Sequence, residues 1–197
     1  GTTPESLLQL KQTITADLEQ LLGCPVAIAL LNDSDCEWNV FEKFANANLV
    51  DTLDIQKLNA MSFTHYKESP ALIVAQPSTQ PQKYIFRTDV LRSNCRVTNQ
   101  PDWGELFVEF ESNYEVDLYS LLAYIVSFRE ENHFHEEVVE MIYKRFYDMF
   151  EPQKLLTAAM YTRRGGIDIN PLRVSHSDLI DPAFSSDTYL LAKTLRQ

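Results

Sequence analysis

The first hydrophobic rhythm along the chain is helical. Leu7, Leu10, Ile14, Leu18 and Leu21 recur at spacings of three and four. Ahead of them, Thr3-Pro4-Glu5 supplies a capping hydroxyl, a proline where its missing N–H costs nothing, and an acid at the positive end of the helix dipole. This predicts an amphipathic helix ended by Gly23. Short apolar runs at Val26–Leu31, Ala71–Ala75 and Lys83–Val90 predict strands. From Glu105 to Phe110, Leu106, Val108 and Phe110 alternate with Glu105, Phe107 and Glu109, the period of a half-buried strand. Asp117 is placed to cap a helix with Leu118, Leu121, Leu122, Ile125 and Val126 inward. After a break at Glu130-Glu131-Asn132, a second helix buries Phe134, Val138, Met141, Ile142 and Met149, with Asn132 as its cap. Leu155–Tyr161 reads as the closing strand. Strand, helix, helix, strand, with no regular βα alternation, predicts an α+β fold with an antiparallel sheet and helices on one face.

Composition narrows the function classes. The chain has 197 residues, 45% hydrophobic and 11% aromatic, enough for a packed core in one domain or two small fused halves. A net charge of −11 argues against a nucleic-acid surface and against anionic membranes. No apolar run approaches membrane-spanning length. The three cysteines are odd in number and widely spaced, so they predict a reduced, cytoplasmic protein rather than a disulfide framework. Cys24 and Cys36 have no basic or imidazole neighbour in sequence and read as structural. Asp35, Asp51 and Asp54 lack the spacing and glycine of a calcium loop and read as solvated acids. Turn-forming residues dominate Asn32–Asp35 and Gln76–Pro81. Five glycines with no Gly-x-Gly-x-x-Gly exclude a Rossmann cofactor site.

One stretch carries chemistry: Ser93-Asn94-Cys95-Arg96-Val97-Thr98-Asn99-Gln100-Pro101-Asp102-Trp103-Gly104. Cys95 stands close to Arg92 and Arg96, and neighbouring positive charge favours the thiolate that acts as a nucleophile. Asp102, seven residues on, is positioned to exchange a proton. The plainer alternative is a small packing cysteine ahead of a Pro-Asp turn.

The same stretch resembles the active-site segment of the NADPH-dependent 7-cyano-7-deazaguanine reductases, the nitrile reductases of queuosine biosynthesis. Ser127-Phe128-Arg129 through Asn132-His133-Phe134-His135-Glu136, and Tyr161-Thr162-Arg163-Arg164-Gly165-Gly166-Ile167-Asp168-Ile169-Asn170-Pro171, resemble two further motifs of that family in the same order. The resemblance implies a tunnelling fold of the two-module type, with residues 1–82 the remainder of an N-terminal module and 83–197 the catalytic module. It implies Cys95 as nucleophile on the nitrile carbon, a covalent thioimide, and Asp102 as general acid in a desolvated site. His135 and Glu136 become the substrate-binding pair for a deazapurine. Arg164 and Gly165 become NADPH contacts, and no metal is required. Arg163, Asn170 and Arg173 receive no role. A cytoplasmic homodimer or higher homo-oligomer is implied as well, with no direct partner in nucleic acid or membrane.

The family's name motif, approximately Glu-Ser-Lys-Ser-x-Lys-x-Tyr, is missing, and Glu5-Ser6-Leu7-Leu8 only echoes it. Together with Gly1 in place of an initiator methionine, this leads to the expectation of a truncated chain. Two alternatives stay open. One is a zinc-dependent cyclohydrolase-like enzyme on the same fold, with Cys95, His133 and His135 as ligands. The other is a non-catalytic purine-binding fragment. On their own, His135 and Glu136 are also compatible with ordinary charge pairing at a helix start.

Overall fold

A computed structural model describes residues 3–28, 30 and 42–185. They fall in two compact units, one built from the N-terminal segment with residues 183–185, the other from 42–182. In the first unit the expected helix forms as α1 (Pro4–Leu22). Thr3 caps it, Ser6 completes the capping box, and Gly23 closes it at φ 67°. None of its residues is fully buried. The strand expected at Val26–Leu31 does not form in its described residues, which follow Pro25 as irregular chain. Cys36 lies outside the described residues, and Cys24 is exposed rather than packed.

The second unit is a five-stranded sheet with two main helices. A short helix α2 (Ile55–Ala60) is capped by Asp54, which accepts from the N–H groups of Gln56 and Lys57. Strand β1 (Ala75–Cys95) is far longer than Lys83–Val90. The separate strand expected at Ala71–Ala75 is instead a helical turn at Pro70–Leu72, where Pro70 favours turning over extension. Then follow β2 (Pro101–Val116), α3 (Leu118–Val126), β3 (Asn132–His133), α4 (His135–Phe150), β4 (Lys154–Tyr161) and β5 (Leu172–Val174). The sheet order is β3-β1-β2-β4-β5. All neighbours are antiparallel except the short β1/β3 pair. The α+β class expected from the hydrophobic pattern is therefore the observed one.

Both faces of the sheet are covered. Leu106, Val108 and Phe110 pack with Leu121, Leu122 and Ile125 of α3 and with Val138, Val139, Ile142, Phe146 and Phe150 of α4. Phe110 stacks on Tyr84 and Phe150, at 4.6 and 5.1 Å between ring centres. On the opposite face Phe107 meets Phe44 edge-on at 5.4 Å. There Glu105 binds Arg87 at 2.6 Å, and Glu109 pairs with Lys43 and Lys83, so these buried acids have counter-charges. Phe134, expected in the core, is 46% exposed because it precedes the first turn of α4.

Two irregularities in the β1/β2 ladder matter. Between Pro77 and Gln82, four residues of β1 face only Asn113, which is where the turn-forming cluster Gln76–Pro81 lies. Between Thr88 and Leu91, Asp89 and Val90 face Glu105 alone. This second bulge changes which face each residue takes. Before it Phe86 and Thr88 point toward the helices, and after it Leu91, Ser93 and Cys95 do. The bulge absorbs one residue, and the sulfur stays in phase with the helix-facing side of β2.

Candidate active site

The site gathers at the end of the sheet where β1 stops and β2 begins. Cys95 closes β1, and the chain turns back through Val97 and Thr98 to Asn99, which takes the left-handed φ of 56° that asparagine tolerates. The Cys95 N–H donates to the Gln100 carbonyl at 2.8 Å, and the Asn99 N–H to the Cys95 carbonyl at 2.9 Å. Strand β3 pins the same corner: the Asn94 N–H donates to the Glu131 carbonyl at 2.7 Å, Cys95 pairs with His133, and Asn132 bonds Asn99 through their amides. Asn132 is thus a strand residue, not the cap expected of it. Phe134 occupies the cap position of α4, and its N–H donates to Glu137 Oε2 at 2.8 Å.

Cys95 is half-exposed, and its thiol is pulled below its ordinary value. The largest cause is the Thr98 hydroxyl, followed by the N–H groups of Thr98 and Val97, while the nearby Asp102 charge pushes the other way. The arginines expected to do this work are engaged elsewhere. Arg96 pairs with Glu137 at 2.7 Å and lies over Phe134, and Arg92 bonds Asn94 and lies over Trp103. A turn of backbone donors and one hydroxyl, rather than flanking cations, favours the thiolate.

Asp102 sits opposite Ser93 on the helix-facing side of the sheet, two residues in register from Cys95. It is 1% exposed, as a desolvated acid requires. Its Oδ2 lies 3.2 Å from Nε2 of His135, the first residue of α4. Its Oδ1 accepts from Arg164 Nε at 2.8 Å, and the terminal Nη2 of the same guanidinium, which donates to the Pro101 carbonyl at 2.6 Å, stands 2.7 Å away as an ion pair. His135 is buried and stacks on Tyr161, with ring centres 4.1 Å apart and planes 7° from parallel. Tyr161 pairs with Gly104 across β2 and β4, and glycine leaves room for its ring. Burial, then the nearby Asp102 and Glu136, push the Tyr161 hydroxyl well above its ordinary value, which keeps it neutral. Ser93 Oγ, His135 Nδ1 and the Tyr161 hydroxyl are buried without a hydrogen-bond partner among the described residues.

Glu136 is the second residue of α4 and is exposed, free to accept hydrogen bonds from a ligand. Arg164 opens a tight turn to Ile167, closed by mutual backbone hydrogen bonds of 3.0 Å. Gly165 and Gly166 take φ 60° and 81° there, with open space above both. Arg163 pairs with Asp168 and Arg173 with Glu140, while Asn170 accepts from the Tyr161 N–H at 3.3 Å.

Cys95, Asp102, His135 and Arg164 are thus brought to one corner, with Glu136 and Gly165 at its edge. The proposed zinc set does not form. His133 binds Glu131 at 3.0 Å and Glu137 at 3.4 Å, and among the described residues no three His, Cys, Asp or Glu side chains group as metal ligands. Sequence reasoning missed Thr98, Gln100 and Tyr161. Asn-Gln-Pro after the cysteine was a turn signal for the first two, but nothing local linked Tyr161 to His135.

Residues 101–179, the part holding Asp102, His135, Glu136 and the glycine turn, match the family model described as QueF-like protein. The chain is a homologue of enzymes named NADPH-dependent 7-cyano-7-deazaguanine reductase, so the resemblance drawn from its motifs holds. It is 37% identical over 168 residues to that of Paracidovorax citrulli, covering 82% of this chain and 59% of the relative. It is 39% identical over 174 residues to that of Polaromonas naphthalenivorans, covering 85% and 62%. With the Psychrobacter cryohalolentis protein identity reaches 50% over 102 residues, 52% of this chain and 36% of the relative. The chain therefore spans about three-fifths of the length of the first two relatives. The solved structure of an archaeosine synthase QueF-Like in the apo form superposes with a TM-score of 0.42 at 17% identity, over 50% of this chain and 95% of that one. Among the described residues no helix is long and apolar enough to cross a membrane.

Proposed function

We propose that this chain carries the catalytic part of a nitrile reductase that converts 7-cyano-7-deazaguanine to its 7-aminomethyl product in queuosine biosynthesis. The observation that supports the reading most is the meeting of a thiolate-favouring Cys95 turn with a buried Asp102–His135 pair on one corner of the sheet. The Cys95 sulfur adds to the nitrile carbon. One C–N π bond breaks, an S–C bond forms, and the nitrogen takes a proton delivered through Asp102, giving a thioimide. Glu136 accepts from the N–H groups on the guanine-like edge, and His135 orients the base or passes a proton.

NADPH supplies the hydrides, two equivalents per nitrile. The residues fit a phosphate-bearing cofactor: Arg164 offers a part-exposed guanidinium, and the glycines beside it leave their backbone approachable. Arg164 and Gly165 would hold it. Residues 83–197 form the catalytic module and 1–82 the remainder of the preceding one, with the wide bulge after Pro77 near their junction. A cytoplasmic homo-oligomer on the tunnelling fold completes the proposal, with no direct nucleic-acid or membrane partner.

The test is intact-mass measurement after incubation with 7-cyano-7-deazaguanine. A covalent adduct that Cys95→Ala abolishes supports the reading. Binding without an adduct favours a non-catalytic purine-binding module, and stoichiometric zinc would favour the hydrolase.

A further inference from the structure

Strand β3 pairs with the end of β1 that carries the sulfur, yet it is two residues long, parallel to β1 and at the edge of the sheet. Parallel pairs are the weaker kind, and two residues add little pairing of their own. The support comes from Glu131, the residue immediately before β3. Its carbonyl accepts from the Asn94 N–H at 2.7 Å, next to Cys95. Its side chain reaches in two directions. Oε1 accepts from the Glu68 N–H at 2.9 Å, and Oε2 lies 3.0 Å from Nε2 of His133, the residue paired with Cys95.

The Glu68 end is fixed to the core. Its carboxylate accepts from the buried Tyr124 hydroxyl of α3 at 3.1 Å and from Arg145 Nε of α4 at 2.9 Å. The residues beside it grip the same stretch as Glu131. The Glu130 N–H donates to the Tyr66 carbonyl at 2.8 Å, Lys67 Nζ donates to the Glu130 carbonyl, and the Ser69 N–H donates to Ser127 Oγ at 3.3 Å. Residues 66–69 thus clamp the chain that leads into β3, and the Glu131 side chain joins that clamp to the strand itself.

We propose that Glu131 is a positioning residue: by holding the Glu68 amide with one oxygen and His133 with the other, it keeps β3 against β1 and so keeps the turn donors of Val97 and Thr98 on the Cys95 sulfur. The route is continuous. Asn132 follows Glu131, and its amide bonds that of Asn99 across the turn, so a shift of β3 passes to residues 95–99. The Thr98 hydroxyl and the N–H groups of Thr98 and Val97, which favour the thiolate, lie in that turn. A segment ahead of β1 thereby takes part in setting the nucleophile. The charged and titratable groups around the corner are Arg92 and Arg96 on either side of Cys95, Asp102 of β2, His133 of β3 and Glu137 of α4.

The test uses the full chain with the other cysteines changed to serine and follows iodoacetamide alkylation of Cys95 across pH. Glu131→Ala should move the profile to higher pH and slow adduct formation with 7-cyano-7-deazaguanine about tenfold or more, as misplaced reacting groups do. Loss of the Glu131 charge alone would favour the thiolate and move the profile to lower pH, so an upward movement reports the turn and not the charge. Glu131→Gln keeps an acceptor for the Glu68 N–H without the charge, and should stay within about twofold of the parent rate with no upward movement. A Glu131→Ala profile coincident with the parent's, or displaced to lower pH, overturns the proposal, and so does Glu131→Gln as slow as Glu131→Ala. Residue-resolved hydrogen exchange on the unaltered protein needs no variant to fold. There the Glu68 and Asn94 amides should exchange at least about tenfold more slowly than free-peptide amides, and a free-peptide rate at Glu68 overturns the grip. Only the adduct measurement rests on the functional reading above. No adduct in the unaltered protein removes that reading, while the alkylation and exchange results decide the positioning role on their own.

Discussion

Replacing Gly104 with alanine tests the packing that orients His135. A Cβ built there would stand 2.9 Å from Cε1, 3.1 Å from Cδ1 and 3.2 Å from Cζ of Tyr161. Ordinary carbon contacts begin near 3.5 Å. The ring must therefore yield by several tenths of an ångström, but it is fully buried and stacked 4.1 Å from His135. Displacing it disturbs the imidazole whose Nε2 faces Asp102. Overpacking of this kind costs about 1–3 kcal/mol. With a urea dependence of about 2 kcal/mol per molar, the unfolding midpoint should fall by about 0.5–1.5 M. Adduct formation with 7-cyano-7-deazaguanine should slow at the same time. Adding Tyr161→Leu should return part of both losses, because the two changes share one contact. Gly104 has no left-handed φ, so crowding alone is tested. A midpoint within about 0.2 M of the parent, or strictly additive losses in the double variant, would refute the reasoning.

Other expectations follow from the same corner. Asp102→Asn should bind substrate but form the adduct more than about tenfold slower, since an amide cannot replace an acid; stopped-flow kinetics with intact mass checks this. Glu136→Gln should weaken substrate binding by about tenfold or more, as hydrogen bonds to a charged acceptor are worth about 1.5–3 kcal/mol, and calorimetry would expose an unchanged affinity. The Cys95 thiol lies below its ordinary value, so with the other cysteines changed to serine its alkylation should persist to lower pH than a free thiol's, and Thr98→Val should move that profile upward; coincident profiles would contradict the role given to Thr98. Glu68→Ala leaves the Arg145 guanidinium and the buried Tyr124 hydroxyl without their shared acceptor, and should cost about 1–3 kcal/mol in urea unfolding.

The hydrophobic rhythm was a faithful guide where one face of an element is buried. Asp117 caps α3, Gly23 ends α1, and Leu106, Val108 and Phe110 point inward as their alternation predicts. It failed where long-range partners decide. Val26–Leu31 has strand composition, yet its described residues join no ladder, and Phe134 was placed in the core by a periodicity that starts one residue later. The catalytic candidates were legible as motifs, but their electrostatics were not. Sequence proximity pointed to Arg92 and Arg96 as the influence on Cys95, whereas the fold sends Arg96 to Glu137 and brings Arg164, from far along the chain, onto Asp102. Such pairings depend on β2 and β4 lying side by side, which no local pattern encodes.

The single surplus residue at Asp89-Val90 also says where the gene can lose a codon and where it cannot. Removing one residue there would only make the ladder regular and leave Leu91, Ser93 and Cys95 facing the helices, whereas removing one between Leu91 and Cys95 would send the sulfur to the face that carries Glu105 and Phe107. The wider excess between Pro77 and Gln82, at the far end of the hairpin, has slack enough to absorb the same deletion. Length variation should therefore accumulate at the two bulges and be purged between Leu91 and Cys95.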